Sequence, residues 1–119
     1  MEAKVLIVED EPIVALQIED VLREAGFEIV GCVGSLDKAF AILKNDDCDI
    51  AVLDANLRGD SVAPLAILLQ QHGKPFLFVS GYERVHLPEA FLDAPLLSKP
   101  FEPGELITTV RQLLFEHAR

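Results

Sequence analysis

Acidic, hydroxyl and amine side chains follow short apolar runs of this sequence, and these residue types suit phosphoryl chemistry. The residues are Glu9 and Asp10 after Val5–Val8, Asp54 after Ile50–Leu53, Ser80 after Phe76–Val79, and Lys99 after Pro95–Leu97. A carboxylate can attack phosphorus and form an acyl phosphate. Phosphoryl transfer asks mainly for positioning and for positive charge on the transferring oxygens. The sequence holds such groups, provided that the fold gathers them.

Converging acids would need a counter-charge. Two carboxylates about 5 Å apart repel by roughly 3 kcal/mol at an effective dielectric near 20. Mg²⁺ would remove that cost, because it accepts one or two carboxylates and phosphate oxygens. We therefore expect a magnesium site built from Asp10 and Asp54 with Glu9 in support, and Asp54 as the nucleophile. Lys99 would add positive charge and Ser80 a hydroxyl donor.

Each residue taken alone also has an ordinary structural explanation. The acidic run Glu9–Glu11 before Pro12 could simply favour a helix N-terminus. Asp54 could form a turn, Ser80 could belong to another turn, and Lys99 could be a solvated charge. The set is more specific than its members, because order, placement and residue type all agree.

The elements that must position these residues alternate along the chain. Strands are predicted at Val5–Val8, Phe27–Val33, Ile50–Leu53, Phe76–Val79 and Pro95–Leu97. Helical stripes are predicted from Pro12 to Ala25, from Leu36 to Leu43, over Val62–His72, and from Pro103 to Leu114. An interior proline costs a helix about 3 kcal/mol. Any helix between the fourth and fifth strands should therefore be short, beginning near Pro88, or irregular.

This alternation predicts a three-layer α/β fold. Strands joined through helices form a mainly parallel sheet covered on both faces. Five such strands fit the flavodoxin-like (βα)5 sandwich with strand order 2-1-3-4-5, whose ligand site lies at the carboxyl ends near strands 1 and 3. Neighbouring strands are about 4.8 Å apart, so the backbones of Lys99 and Asp54 should be about 10 Å apart, a gap their side chains can close.

Composition bounds the class of protein. The 119 residues suit one domain, 1–119, and half of them are hydrophobic. The formal charge of −10 disfavours binding to nucleic acid or a membrane surface. No run is long enough for a signal peptide or a membrane span. Cys32 and Cys48 match no metal or redox spacing, so we expect buried free thiols and a cytoplasmic protein.

From Lys4 to about Phe115, the chain resembles the receiver domain of bacterial two-component response regulators. The motifs that carry the resemblance are Val5–Glu11 for the acidic first strand, Val52–Asp54 for the phosphorylation site, Val79–Gly81 for the hydroxyl site, and Ser98–Phe101 for the lysine motif.

The resemblance implies a role for each site residue. Asp54 would accept a phosphoryl group from a kinase phosphohistidine, and Ser80 and Lys99 would bind its oxygens. Mg²⁺ would be held by Asp10, Asp54 and the backbone carbonyl of Asn56, and Glu9 would help through water. The Lys99–Pro100 bond would be cis.

Two features depart from the common receiver pattern. Leu96 stands where receivers commonly place an aromatic switch residue, three positions before the lysine. The segment Pro75–Tyr82 is partly similar to an alphaproteobacterial subgroup marked by Phe-Ala-Thr-Gly-X-aromatic-Gly, whose fourth helix is reduced. That subgroup is associated with kinases of the HWE or HisKA2 type. Tyr82 either packs locally or replaces the missing aromatic.

These observations predict a single-domain response regulator without an output domain. It would catalyse its own phosphorylation and dephosphorylation and act as a switch rather than a turnover enzyme. The first helix would meet a sensor histidine kinase or histidine phosphotransferase. The 80–101 face with the last helix would meet a downstream protein, as a monomer or as a phosphorylation-dependent dimer.

Two other classes of protein stay open. A phosphatase of the haloacid dehalogenase type also uses an aspartate at a strand end. It needs a second acid two residues later, where this chain has Asn56. A binding module that has the site but is never phosphorylated is the other alternative.

Overall fold

Among the described residues, five parallel strands form the centre of the molecule. The computed structural model of the chain describes residues 3–45, 47–81, 87 and 89–117. The strands are β1 (Lys4–Val8), β2 (Glu28–Val33), β3 (Ile50–Asp54), β4 (Phe76–Ser80) and β5 (Leu96–Ser98). Their order across the sheet is β2-β1-β3-β4-β5, which confirms the predicted flavodoxin-like topology.

In the described part of the chain, four α-helices cover the sheet, and their bounds are α1 (Pro12–Glu24), α2 (Leu36–Asn45), α3 (Ala63–Gln71) and α4 (Pro103–His117). Prolines stand in the first turn of α1 and α3, where a missing N–H costs no intrahelical bond. Between β4 and β5, the regular structure among the described residues is a 3₁₀ turn, Glu89–Phe91. This confirms the prediction of a short or irregular element there. Tyr82 and Pro88 lie outside the described residues.

Strand bounds differ from the prediction in a way that affects the site. Asp54 and Ser80 are the last residues of β3 and β4 rather than the first residues after them. The parallel pairing continues to these positions, since Asp54 is in register with Val79 and Ser80 with Ser98. Both side chains are therefore anchored by the sheet itself.

The core has two halves, one on each face of the sheet. Successive strand residues point to opposite faces, so Leu6 and Val8 pack towards α2 and α3 while Val5 and Ile7 pack towards α1 and α4. Every residue of β3 is buried. A sheet covered in this way leaves its strand ends as the place where polar side chains can meet solvent.

Further details bear on the sequence predictions. Cys48 is buried, Cys32 is partly buried, and both are free thiols. The Lys99–Pro100 peptide bond is cis. Within the described part of the chain, no helix has both the length and the apolar character needed to span a membrane.

Candidate functional site

The carboxyl ends of β1, β3, β4 and β5 bring the predicted residues to one edge of the sheet. Val8 is in register with Leu53, so Glu9 at the end of β1 lies beside Asp54 at the end of β3. On the other side of β3, Ser80 ends β4, and its carbonyl accepts a hydrogen bond from the Lys99 N–H. The sheet order thus places acids, hydroxyl and amine along one row.

The Lys99 ammonium lies among three carboxylates. Its Nζ is 2.7 Å from Glu9 Oε1, 3.2 Å from Glu11 Oε1 and 3.9 Å from Asp54 Oδ2. Glu9 Oε1 is fully buried and has no well-aligned hydrogen bond within the described structure, so its charge is balanced by contact with the ammonium. The amine therefore lies close to the end of β3, as the strand order predicts.

Asp54 is buried at the centre of this edge. Its Oδ1 accepts a hydrogen bond of 3.0 Å from the backbone N–H of Asn56. Burial, followed by a hydrogen-bonding interaction with Glu9, raises the pKa of Asp54 from 3.8 to about 8. Without a further positive charge, this carboxyl holds a proton more tightly than an ordinary aspartate.

The pKa of Lys99 is shifted in the direction that keeps it charged. Burial of the ammonium works to lower this pKa, but the close contact with the Glu9 carboxylate and the charge of Asp54 outweigh burial and raise it. Lys99 is therefore a permanent cation at the site.

Asp10 lies beside a different cation. Its Oδ2 accepts a hydrogen bond of 3.2 Å from Nε of Arg58, in the loop between β3 and α3. The acids that the structure gathers most closely are Glu9, Glu11 and Asp54, whose nearest ligand atoms all lie within 4.8 Å of one another. The predicted role of Asp10 as a metal ligand stays a prediction.

Ser80 and Asn56 lie at the border of the site. The hydroxyl of Ser80, a buried residue, donates to the Gly81 carbonyl at 3.2 Å. The side-chain oxygen of Asn56 accepts the Gly59 N–H at 3.3 Å. The side-chain amide of Asn56 therefore stabilises the loop after β3. It supplies no carboxyl group of the kind that a phosphatase needs at this position.

Sequence reasoning missed two residues of this site, Glu11 and Arg58. Glu11 was visible only as the third acid of the run Glu9–Glu11, where a role at the start of α1 explained it equally well. Arg58 was visible only as a basic residue four positions after Asp54. In both cases the contact depends on loop conformation, which residue type and spacing do not specify.

The residues present fit a hard divalent cation. Among the residues that the structure describes, four carboxylates and two cations meet here, and together they carry a formal charge of −2 when fully ionised. The donors are carboxylate oxygens, which Mg²⁺ prefers. The buried Glu9 oxygen without an aligned donor indicates that the local hydrogen bonding is incomplete.

The fold and the site define an α/β regulator of the two-component type. Residues 5–111 match the response regulator receiver domain, and the chain belongs to this family.

The chain is similar to known proteins that include a regulator and a transcriptional activator. The solved structure of SdrG from Sphingomonas melonis Fr1 is 34% identical, with a TM-score of 0.84, and the match covers 96% of this chain and 97% of that one. The phyllosphere-induced regulator PhyR of Methylorubrum extorquens is 28% identical over 97% of this chain and 45% of its own length. The transcriptional activator protein IrlR of Burkholderia pseudomallei is 33% identical over 93% of this chain and 50% of its own length. The chain thus spans about half the length of these two curated relatives.

Proposed function

We propose that the chain is a phosphorylation-dependent response regulator in which Asp54 accepts a phosphoryl group. The donor would be the phosphohistidine of a sensor histidine kinase or histidine phosphotransferase. The observation that carries the proposal is the buried Asp54 carboxylate, which ends β3 with Lys99 3.9 Å from its Oδ2. The signal would pass on by protein contact or onward phosphotransfer.

The chemistry follows from the positions of these side chains. An Asp54 oxygen attacks phosphorus, an O–P bond forms, the P–N bond to the donor imidazole breaks, and the imidazole keeps the electron pair. Mg²⁺, held by Asp10, Asp54 and the Asn56 carbonyl with Glu9 in support, would neutralise these acids and the phosphoryl oxygens when bound. Lys99 and the hydroxyl of Ser80 would then bind the oxygens of the product.

The starting position of Lys99 supports a role as a switch. In this structure its ammonium is closer to Glu9 and Glu11 than to Asp54. A phosphoryl group adds about two negative charges, which would draw Lys99 from the two glutamates towards Asp54. Because Lys99 directly follows β5, that movement would shift the 80–101 face.

Exposed apolar residues on α1 support this helix as the kinase-binding surface. Ile13 is 83% exposed and Leu16 is 58% exposed. Other residues of the same helix, Val14 and Gln17, line a cavity of about 280 Å³ together with Glu11, Gly81 and Lys99–Phe101. A partner helix on α1 would thus reach the edge where Lys99 lies. The partial subgroup similarity makes a kinase of the HWE or HisKA2 type our first candidate.

The downstream surface would be the 80–101 face together with α4. Leu92 and Leu96 are large apolar side chains exposed in the described part of this face. Phosphorylation could therefore control contact with a target protein or with a second copy of the chain. Action in the cytoplasm is part of the proposal.

The test is phosphorylation by a small donor. We expect acetyl phosphate with Mg²⁺ to add the mass of one phosphoryl group to the wild-type chain, and not to add it to Asp54→Asn or in the presence of EDTA. Asp60→Asn is the matched control, since Asp60 is an exposed acid of the adjoining loop. No gain from acetyl phosphate or from any phosphorylated kinase would favour an inert binding module. Sustained turnover of small phosphate esters would favour a phosphatase.

A further inference from the structure

Arg58 is a cation at the acidic edge that the proposed phosphoryl chemistry does not use. Its Nε donates to Asp10 Oδ2 at 3.2 Å. The Arg58 side chain is 78% exposed, whereas that of Asp10 is only 11% exposed. A solvent-facing guanidinium thus neutralises a largely buried carboxylate.

The loop after β3 holds Arg58 in place. Leu57 is buried, and its carbonyl accepts the Asp60 N–H at 2.9 Å, which closes a tight turn. Asn56 stabilises the same turn through Gly59. Arg58 itself has a φ of 50°, in the left-handed region that residues with a Cβ rarely occupy. The conformation is therefore imposed by the turn, which directs Arg58 to Asp10.

We propose that Arg58 is the resident counter-ion of Asp10 and competes with a divalent cation for that carboxylate, so that Arg58 sets the metal affinity of the site. This inference rests on the proposed function, in which Asp10 is a ligand of Mg²⁺. A metal that takes Asp10 must displace the Nε–H bond or share the carboxylate with a positive charge. Either the displacement or the sharing raises the dissociation constant of the metal.

The two cations that the structure describes at the site differ in how easily they can leave. Lys99 contacts the buried Glu9, so its departure into solvent, unlike a shift within the site towards Asp54, would leave an unpaired charge in the interior. Arg58 can move into water at little cost because most of its side chain is already solvated. Arg58 is therefore the exchangeable cation, and Asp10 is the carboxylate that becomes available.

The first test is a calorimetric Mg²⁺ titration of the wild-type chain and of Arg58→Gln. We expect the variant to bind Mg²⁺ about two- to fivefold more tightly, the range given by an exposed ion pair. Arg23→Gln is the matched control, because it removes the same charge from an exposed ion pair with Glu19 on α1. We expect the Arg23 variant to bind Mg²⁺ as the wild type does.

The second test observes the arginine directly. In ¹⁵N NMR spectra, we expect the Nε–H resonance of Arg58 to shift along the same Mg²⁺ titration curve as the backbone resonance of Asp10. Unchanged or weaker Mg²⁺ binding by Arg58→Gln, or an Nε–H resonance that does not move, would overturn the inference while the proposed function stands. If neither protein binds Mg²⁺, the proposed metal site fails and the inference fails with it.

Discussion

Lys99 is paired with Glu9 more closely than with Asp54: its Nζ lies 2.7 Å from Glu9 Oε1 and 3.9 Å from Asp54 Oδ2. Glu9 is fully buried at its side chain, so the ammonium is its compensating charge in the absence of a metal. The same ammonium is the group that would bind a phosphoryl oxygen. One side chain therefore links the stability of the resting protein to its proposed activity.

Removing this amine should destabilise the protein. We expect Lys99→Met to lower the free energy of unfolding by about 1–3 kcal/mol, because the buried Glu9 carboxylate loses its counter-charge. Lys74→Met is the matched control, since Lys74 pairs at 3.0 Å with the exposed Asp47. That surface pair should be worth less than about 1 kcal/mol. Urea unfolding without metal measures both, and equal losses would contradict the assigned role of Lys99.

The raised pKa of Asp54 predicts a pH dependence of stability in the metal-free protein. Between its ordinary pKa of 3.8 and about 8, the native protein keeps a proton on Asp54 that the unfolded chain has lost. The contribution of this group to the free energy of unfolding therefore falls as pH rises through that window. Asp54→Asn should remove this contribution. Thermal unfolding in EDTA across the window measures it, and identical slopes for the two proteins would refute the prediction.

The exposed residues of α1 should matter for the kinase and not for the chemistry. We expect Ile13→Ser to slow phosphotransfer from a cognate kinase about 5- to 30-fold, the effect of losing an interface contact worth 1–2 kcal/mol. Phosphorylation by acetyl phosphate should be unchanged, because the Ile13 side chain is 83% exposed on α1 and is not one of the groups proposed to act in the chemistry. Ile67→Ser on α3 is the control, as Ile67 is also an exposed isoleucine. Equal slowing by both variants would exclude α1 as the specific surface.

Two glycines should respond differently to substitution by alanine. A Cβ on Gly31 in β2 would meet Cδ1 of Ile42 in α2, which is the far end of a flexible side chain and can move aside. We therefore expect Gly31→Ala to lower the free energy of unfolding by less than about 1 kcal/mol. Gly104, in the first turn of α4, has open space around it. Gly104→Ala should stabilise the protein by about 0.5–1 kcal/mol. Chemical unfolding measures both variants, and a loss of more than about 2 kcal/mol in the Gly31 variant would show that Ile42 cannot move aside.

The two cysteines should be inert in the native protein. Burial is the main cause that raises the pKa of Cys32 and of Cys48 from 9.0 to about 11. The thiolate fraction near neutral pH is then about a hundredfold smaller than for a free thiol. We expect alkylation by iodoacetamide to be slow until denaturant is added, and slower at Cys48, which is the more buried. Rapid labelling of native Cys48 would contradict this.

The strand order and most of the site could be predicted from the sequence. Val5–Val8 and Ile50–Leu53 are continuous apolar runs, and only a sheet covered on both faces buries such runs completely. Right-handed crossovers then leave few possible strand orders in the sheet, and each strand order specifies which strand ends are neighbours. The positions of Glu9, Asp54 and Lys99 at one edge follow from that topology.

The partners of the cations could not be predicted in the same way. Lys99 has several carboxylates within reach, and its choice of Glu9 and Glu11 over Asp54 depends on differences of about 1 Å. Arg58 reaches Asp10 because a turn with a left-handed residue directs it there. Such distances depend on loop conformation and side-chain rotamers. The pattern of apolar and polar residues along the sequence does not encode either of them.

The sequence by itself determined the sheet, its covering helices and the identity of the groups at its edge, because hydrophobic burial acts through residue type and periodicity. Only the tertiary structure decided which charges neutralise one another, because electrostatic pairing in a partly buried site changes over a single ångström. It therefore revealed Glu11 beside Lys99, Arg58 on Asp10, and an Asp54 carboxyl that burial holds near its protonated form.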